Sequence, residues 1–368
     1  MRIAFYAPLK PPDHPIPSGD RQVAQLFLAA LRRGGHDPVL ASRFRSFEGR
    51  GDRYLQTRLA ALGRKLAERL VRRYRAAPAS APDLWFTYHI YHKAPDWLGP
   101  RVALALGVPY VVAEASFAPK RAGGAWDPGH HAAQHAIRTA DVVIGLNPAD
   151  RDCVLPLLAD RTRWVAMKPF LDAGFYAPRE PAGERPARLI AVAMMRPGDK
   201  LASYRVLGDA MSRLSGLDWT LEVVGDGAAR SEVAQALSQL GSKVMWAGTL
   251  SAPALARHLA AADLCVWPAI NEAFGMSLLE AQASGLPVVA GASGGVAQIV
   301  RPGISGFLIS PGDAAGFAAA VRSLIVDRDL RRRFGEAARR RILAEHDLPA
   351  AAQHLTSVFE TLRPAHAA

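Results

Sequence analysis

The sequence predicts an α/β protein made of two doubly wound, Rossmann-like domains. Short apolar runs that are typical of strands alternate with helical spacing along both halves of the 368-residue chain. One proline-rich stretch interrupts this alternation. Since a domain typically has about 100 to 200 residues, the length of the chain also favours two domains. Half of the residues are apolar and 21% are charged, which excludes a disordered or collagen-like chain.

The first half opens with a βαβ unit. RIAFYAPL predicts a strand, and the helix that follows the next loop ends at Gly34 and Gly35, before a second strand at 38–41. Because a helical crossover joins parallel strands, the two strands are expected to run parallel. Further strands are predicted at LWFTYH, PYVVAEA, DVVIGL and RWVAM, and further helices from Asp96 and at 131–140 and 148–159.

The second half repeats the pattern after a break. Residues 168–186 contain four prolines and two glycines and lack a clear period, so we expect a domain over 1–170, a linker over 171–186 and a second domain over 187–346. A helix at 347–364 is expected to pack back on the first domain. The second domain has strands at RLIAVAMM, WTLEVVG, KVMWAG, LCVWPA, PVVAG and GFLIS, and helices from Lys200 and at 229–240, 253–261 and 275–284.

Composition and charge limit the cellular location and the binding partners that we expect for the protein. Cys153 and Cys265 are too few for a disulfide framework, and no apolar run approaches the roughly 18 residues of a membrane span, so we expect a cytoplasmic protein. The formal net charge is +12, and residues 43–75 alone carry eleven basic and three acidic residues. Charge by itself is compatible with nucleic acid, an anionic membrane or a phosphorylated substrate. No basic motif is interleaved with aromatic residues, so nucleic acid is not expected.

The loop after LCVWPA is the richest in candidate functional residues. Ligands of open α/β sheets bind beyond the carboxyl ends of the strands, where Glu272 precedes a helix that carries Glu280. Gly275 lets a ligand approach the backbone, and the first N–H groups of the helix suit a phosphate. The alternative is that neither glutamate binds a ligand. Both would then occupy the first half of the helix only because the helix dipole favours acidic residues there.

The stretch NEAFGMSLLEAQASGLPVVAGASGG resembles the signature of family-four (group 1) retaining glycosyltransferases of the GT-B fold, in which seven residues separate two glutamates. The resemblance extends through IVRPGISGFLISPGD, LEVVGDGAAR and AVAMMRPGDK, and so covers the second domain. It implies two Rossmann-like domains facing across a cleft and transfer of a sugar from a UDP- or GDP-linked donor with retention. The implied acceptor is a glycan, a lipid-linked molecule or a small molecule. No metal ion or other cofactor is expected.

The resemblance also implies roles for individual residues. Arg196 and Lys200 match the basic pair that grips the donor diphosphate, Glu280 would bind the ribose, and Glu272 would bind hydroxyls of the donor sugar. A cation is unfavourable at a helix N-terminus, so Lys200 indicates a nearby anion. Fixed positive charge also lowers the barrier to departure of a diphosphate. The remaining residues of the predicted donor loop are Phe274, Gly275 and Met276.

The first domain departs from the family pattern. PSGD stands where relatives have two glycines, so only Gly19 is placed near the diphosphate, and Ser18 or Asp20 is a competent N-cap. After PYVVAE relatives place a histidine, whereas this chain has Glu114. Glu114 could orient the acceptor, act as a base or face solvent. His89, at the end of LWFTYH, is a candidate for the acceptor side.

Weaker candidates have simpler interpretations. Asp150 and Asp152 form an Asp-x-Asp, but helix capping and the dipole explain them. His131 and His135 have a helical spacing that could bind zinc, yet no acidic third ligand is apparent. Two tryptophans, Trp246 and Trp267, are expected in the core. A nucleotide-sugar isomerase and a catalytically silent sugar-nucleotide-binding relative remain as alternative functions.

A basic amphipathic helix is predicted within residues 43–75. The apolar residues that recur at steps of three or four are Leu55, Leu59, Leu62, Leu66, Leu70 and Tyr74, and basic residues occupy much of the remainder. One interpretation is a crossover helix whose leucines face the first sheet. The other is a helix that lies on the anionic inner face of a membrane as a peripheral anchor.

Overall fold

The computed structural model describes residues 1–16, 18–178, 185–272 and 274–362. The chain divides into two compact units, the first formed by Met1–Lys168 and Leu348–Ala368 and the second by Pro169–Asp347. Each unit is built on one six-stranded sheet in which every strand pair is parallel. The predicted α/β class, with two parallel sheets and alternating helices, is confirmed.

The first unit surrounds a sheet whose four inner strands are buried and whose two edge strands are partly exposed. Its strands are β1 (Arg2–Tyr6), β2 (Asp37–Ser42), β3 (Leu84–Ile90), β4 (Tyr110–Ala115), β5 (Val142–Gly145) and β6 (Arg163–Ala166). Its helices are α1 (Gly19–Arg33), α2 (Arg53–Ala76), α3 (Gly99–Leu106), α4 (Asp127–Thr139) and α5 (Pro148–Val154). The strand order β2-β1-β3-β4-β5-β6 reverses between β1 and β3, which is where ligands bind in doubly wound sheets.

The second unit repeats this architecture. Its strands are β7 (Ala187–Val192), β8 (Trp219–Val224), β9 (Val244–Gly248), β10 (Leu264–Trp267), β11 (Val288–Gly291) and β12 (Gly306–Ile309). Its helices are α6 (Asp199–Ser212), α7 (Arg230–Leu237), α8 (Ala252–Ala261), α9 (Met276–Ala283), α10 (Val296–Ile299), α11 (Ala314–Val326) and α12 (Arg328–Glu345). The order β12-β11-β10-β7-β8-β9 is that of a dinucleotide-binding sheet, with the reversal between β7 and β10.

The segment between the sheets differs from the simple linker expected over 171–186. Residues 179–184 lie outside the described residues, but 171–178 belong to the second unit. The Ala173 N–H donates to Asp347 Oδ1 at 2.9 Å, and Leu171 and Tyr176 are buried in the core of this unit. The last helix, α13 (Leu348–Glu360), belongs to the first unit and packs along α1.

Helix α2 buries only part of the apolar face expected for it. Its buried residues are Gln56, Gly63, Ala67, Leu70 and Tyr74, whereas Leu55 and Leu62 are 40% and 46% exposed. The reason is close packing against α3 and its neighbours: a side chain at Gly63 would overlap Trp97. A row of leucines therefore remains partly exposed among basic residues. Within the described residues, no helix is long and apolar enough to cross a bilayer.

We predict that Gly208→Ala destabilises the second unit. Gly208 lies in α6, and a Cβ there would overlap the carbonyl oxygen of Ala236. Overpacking of this kind costs about 1 to 3 kcal/mol, more than the gain from alanine in a helix. Denaturant unfolding measures the effect. Gly216→Ala, where a Cβ meets nothing within 4 Å, is the control, and equal midpoints for the two variants would contradict the prediction.

Candidate active site

The reversal point of the second sheet brings two loops together. The β7–α6 loop carries Arg196 and leads into Lys200, and the β10–α9 loop carries Glu272. Since β7 and β10 are hydrogen-bonded neighbours and run parallel, both loops leave the same edge of the sheet. Residues 72 positions apart in the chain thus meet at one site.

Lys200 and Glu272 form the central ion pair of this site. Lys200 Nζ donates to Glu272 Oε2, and the two side chains are 26% and 16% exposed. The same carboxylate oxygen accepts a hydrogen bond of 3.2 Å from Trp267 Nε1, while Lys200 Nζ lies 5.3 Å from the centre of the Trp267 ring. Glu272 is therefore the anion that the placement of Lys200 indicated. Arg196 is exposed.

The β10–α9 loop is held in an uncommon backbone conformation. Ala269 and Asn271 have φ of 50° and 51°, in the left-handed region that non-glycine residues rarely occupy. Ser293 compensates, because its hydroxyl accepts from the Glu272 N–H at 3.0 Å and donates to the Ala269 carbonyl. Asn271 Nδ2 also donates to Asp199 Oδ2 at 2.8 Å, which ties the loop to the start of α6. These bonds fix the position of Glu272.

Two helices begin at this site without a side-chain cap. The N-cap of α6 is Gly198 with φ of 84°, and that of α9 is Gly275 with φ of 73°. A helix N-terminus carries partial positive charge and N–H donors that can bind an anion. Phe274 and Met276, on either side of Gly275, are partly buried against the core of the unit. The site therefore combines cations with two positive helix ends.

Glu280 lies deeper in the second unit than its predicted role suggests. It is only 7% exposed, and the Tyr176 hydroxyl donates a hydrogen bond to it. Burial, followed by the Glu280 charge, raises the pKa of Tyr176. The chain segment that holds Tyr176 is the one expected to be a linker, so sequence alone could not place these two groups together.

A second polar cluster occupies the reversal point of the first sheet. His89 and Glu114 are the penultimate residues of β3 and β4, with φ of 59° and 60°. His89 Nδ1 lies 3.0 Å from Asp20 Oδ1. Ser18 is the N-cap of α1, accepting from the Arg21 N–H at 3.2 Å, and this leaves Asp20 available to His89. Glu114 is 8% exposed, which rules out the expectation that it faces solvent.

Electrostatics couple the members of this cluster. Burial opposes the charge on His89, but the carboxylates of Glu114, Asp20 and Asp150 outweigh it and raise the pKa of His89. Burial likewise raises the pKa of Glu114 although His89 lowers it. The Tyr88 hydroxyl donates to Glu114, yet Glu114 Oε2 accepts no hydrogen bond from any described residue. One buried carboxylate oxygen of this cluster is therefore left without a hydrogen bond from the described residues.

Other predicted residues fall outside these clusters or change role. Asn147, not an aspartate, caps α5, and Asp150 instead accepts a hydrogen bond from Ser116 near His89. Asp150 is therefore not the capping residue, although it lies in the first turn of α5, where the helix dipole favours an acidic side chain as expected. Gly19 begins α1, where a Cβ would meet nothing within 4 Å, so steric crowding does not require a glycine.

The tryptophan and zinc interpretations have different outcomes. Trp267 is buried as expected, but Trp246 is 37% exposed and lies 3.7 Å from the Arg230 guanidinium, because it occupies the edge strand β9. Among the described residues no group of three or more histidine, cysteine or acidic side chains is placed to hold a metal ion.

Comparison with known proteins identifies the second unit. Residues 192–341 match the model of the family described as Glycosyl transferases group 1. The matched residues lie within the second unit. A D-inositol 3-phosphate glycosyltransferase of Geodermatophilus obscurus is 51% identical over 76 residues, 21% of this chain and 17% of the relative. Glycogen synthase of Mycobacterium tuberculosis is 28% identical over 282 residues, 72% of this chain and 67% of the relative.

Similarity in structure extends over both units of the chain. Anabaena Alr3699/HepE, solved in complex with UDP, superposes with a TM-score of 0.73 at 18% identity, covering 98% of this chain and 100% of that structure. The predicted GT-B fold is thereby confirmed. The matched segments span only 17%, 27% and 23% of the first three curated relatives.

We predict that Asp20→Asn lowers the pKa of His89. The carboxylate stabilises the imidazolium, so its loss leaves burial to act with less opposition. Since the folded pKa of His89 is raised, its stabilising contribution is complete below the unfolded pKa and is lost as pH rises through the folded pKa. Histidine NMR titration measures the shift. Asp152→Asn, with a side chain 88% exposed, should leave this pKa unchanged, and an equal effect of both variants would contradict the assignment.

Proposed function

We propose that the protein is a retaining glycosyltransferase that moves a sugar from a UDP- or GDP-linked donor to an acceptor. The observation that carries this proposal is the site at the reversal of the second sheet, where Lys200, Glu272 and two helix N-termini converge. The group 1 match covers the same residues, and a protein of similar fold has been solved with UDP. The donor is assigned to this unit.

The electrostatics of the site suit a departing diphosphate. As the bond from the sugar C1 to the diphosphate oxygen breaks, negative charge grows on the leaving group, and preorganised positive charge lowers the barrier. Arg196 supplies an exposed cation, and the start of α6 and of α9 supplies N–H donors. Lys200 is held in place by Glu272 and Trp267. These groups provide the positive charge without requiring a metal ion.

The proposed step uses no covalent enzyme nucleophile. The acceptor oxygen forms a bond to C1 on the face that the diphosphate leaves, and the acceptor proton passes to the departing phosphate oxygen. The configuration at C1 is thereby retained. The contribution of the chain is positioning and electrostatics, with Glu272 holding donor-sugar hydroxyls, Glu280 the ribose, and the loop of Phe274, Gly275 and Met276 the donor. Gly19 remains a proposed neighbour of the diphosphate.

The acceptor side is assigned to the cluster at the first sheet. His89 is held as a hydrogen-bond donor by Asp20, and Glu114 Oε2 is an acceptor without a partner among the described residues. A sugar or polyol hydroxyl needs one donor and one acceptor. We therefore assign His89 and Glu114 to orientation of the acceptor hydroxyl.

The donor assignment is tested by thermal unfolding of the full chain with a panel of UDP- and GDP-sugars. A ligand at about 100 times its Kd stabilises by about 2.7 kcal/mol, and the best ligand then enters a nucleotide-release assay with candidate acceptors. Arg196→Ala and Lys200→Ala should each reduce turnover on the order of 10²-fold, because they act on charge that develops in the transition state.

The controls separate the parts of this proposal. Arg205→Ala, exposed on α6, should keep full activity, and Glu280→Ala should weaken nucleotide binding instead of turnover alone. EDTA should leave activity intact. Full activity of both Arg196→Ala and Lys200→Ala would place the site elsewhere, and activity lost to EDTA and restored by Mg²⁺ would refute metal independence.

Helix α2 supports peripheral attachment to an anionic membrane as a further part of the proposed function. Its Leu55 and Leu62 are 40% and 46% exposed and stand among Arg58, Lys65, Arg69, Arg72 and Arg73, all exposed. Exposed apolar side chains with flanking cations suit the interface of an anionic leaflet, at roughly 1 kcal/mol per basic residue. A membrane-bound enzyme would reach a lipid-linked acceptor.

Vesicle sedimentation tests the membrane proposal. Vesicles containing anionic lipid should pull down the protein at low salt and release it at high salt, because salt screens the attraction within about 10 Å at 0.1 M. Neutralising the five basic residues of α2 should abolish binding. Neutralising five exposed arginines of the second unit should not, and the control set is Arg205, Arg257, Arg322, Arg328 and Arg333. Binding that is absent at every salt concentration refutes the proposal.

A further inference from the structure

A cluster of basic groups surrounds one tryptophan in the first unit, and none of these residues was assigned to the predicted sites. Lys93 Nζ lies 4.7 Å from the centre of the Trp126 ring, and the Arg121 guanidinium carbon lies 5.4 Å from it. The His92 ring meets the same indole edge-on at 5.7 Å. Lys93 and His92 follow β3, Arg121 follows β4, and Trp126 precedes α4, so all four leave the carboxyl edge of the first sheet.

Neither cation of this cluster forms an ion pair with a carboxylate in the described part of the chain. Among the described residues, none places a carboxylate oxygen within 4.0 Å of Lys93 or Arg121. The neighbouring acids are engaged by other groups: Glu48 accepts the N–H groups of Arg50 and Gly51 at 2.6 and 2.7 Å, and Asp127 accepts the Gly123 N–H at 2.6 Å. These two carboxylates therefore lie near the cluster without forming an ion pair with Lys93 or Arg121.

The pKa of His92 reflects the positive charge of this cluster. Burial, together with Arg121, Lys93 and His130, lowers the pKa of His92 to about 4. Its Nε2 and the Nε of Arg121 are buried polar atoms that find no hydrogen-bond partner in the described structure. Like charges and unpaired polar atoms are unfavourable in a folded protein unless a ligand of opposite charge relieves them.

A row of rings joins this cluster to the acceptor residues. His89 packs against Tyr91 at 5.4 Å, and Tyr91 packs against His92 at 5.3 Å. The basic cluster is thus next to the His89–Asp20 pair, in the same layer of strand-end loops. A ligand with hydroxyls at His89 and Glu114 would bring an anionic group to Lys93 and Arg121 if it extended along these ring contacts, which are 5.3 to 5.7 Å each between ring centres.

We propose that Lys93 and Arg121, with Trp126 beneath them, form a binding site for a phosphate group, and that this phosphate is carried by the acceptor. Arginine and lysine bind phosphate through charge-assisted hydrogen bonds, and the indole holds both side chains in place through cation–π contacts. The anion site stands on the geometry of the first unit. Only its assignment to the acceptor rests on the proposed function.

Residue-resolved NMR on the full chain tests the site. Glycerol 3-phosphate is titrated at constant ionic strength while the indole N–H signal of Trp126 is followed. The Trp126→Phe variant assigns this signal, and glycerol is the uncharged control ligand. We expect a saturable shift at Trp126 with glycerol 3-phosphate alone, and a rise in the pKa of His92. Lys93→Gln and Arg121→Gln should each weaken the affinity about tenfold, as loss of a charge-assisted hydrogen bond implies.

Matched control variants and a lipid-binding experiment complete the test. Arg101→Gln and Arg138→Gln remove exposed charges from the same unit and should bind as the wild type does. If vesicles of phosphatidic acid, and not glycerol 3-phosphate, bind in a Lys93-dependent manner, the phosphate belongs to a lipid-linked acceptor. No saturable shift and no Lys93-dependent vesicle binding, or equal binding by Lys93→Gln, Arg121→Gln and the controls, overturns the proposal. Because this titration involves neither donor nor turnover, its failure is distinct from failure of the transferase assay.

Discussion

The parallel pairing of every strand is the constraint on which the candidate sites depend. In a parallel sheet all carboxyl ends lie at one edge, and each crossover helix begins near that edge. Side chains that follow β3, β4, β7 and β10 are therefore gathered without any local sequence relation between them. The reversal of strand order, between β1 and β3 in one sheet and between β7 and β10 in the other, separates adjacent crossover helices and leaves room for ligands.

Backbone strain is concentrated at these same loops. The four non-glycine residues with left-handed φ among those described are His89 and Glu114 in the first unit and Ala269 and Asn271 in the second. Such residues cost of order 1 to 3 kcal/mol each and persist where the surrounding structure compensates. Ser293 and Asp199 supply that compensation in the second unit. The unfavourable backbone conformation at these residues is thus what fixes the directions of functional side chains. The fold of each loop and its chemistry are linked in this way.

Charge is balanced differently at the three polar clusters. Lys200 is neutralised by Glu272, which fixes a cation beside two positive helix ends. At the first sheet the carboxylates outnumber the one imidazole and raise the pKa of His89 against the effect of its burial. Around Trp126 the cations have no acidic partner among the described residues. A net charge of +12 therefore says little about any one site, and the local sign of the charge indicates what each cluster can bind.

The sequence by itself determined the alternation of strands and helices, the class of the fold and the loop that carries Glu272, because apolar period and glycine placement act over a few residues. The tertiary structure alone decided which distant groups meet. Glu272 became the partner of Lys200, Tyr176 that of Glu280, and Asp150 joined His89. It also decided which face of α2 is buried, since Gly63 packs on Trp97 and leaves Leu62 partly exposed. These outcomes depend on strand order and helix packing, which involve residues far apart in the chain and leave no periodic mark in the sequence.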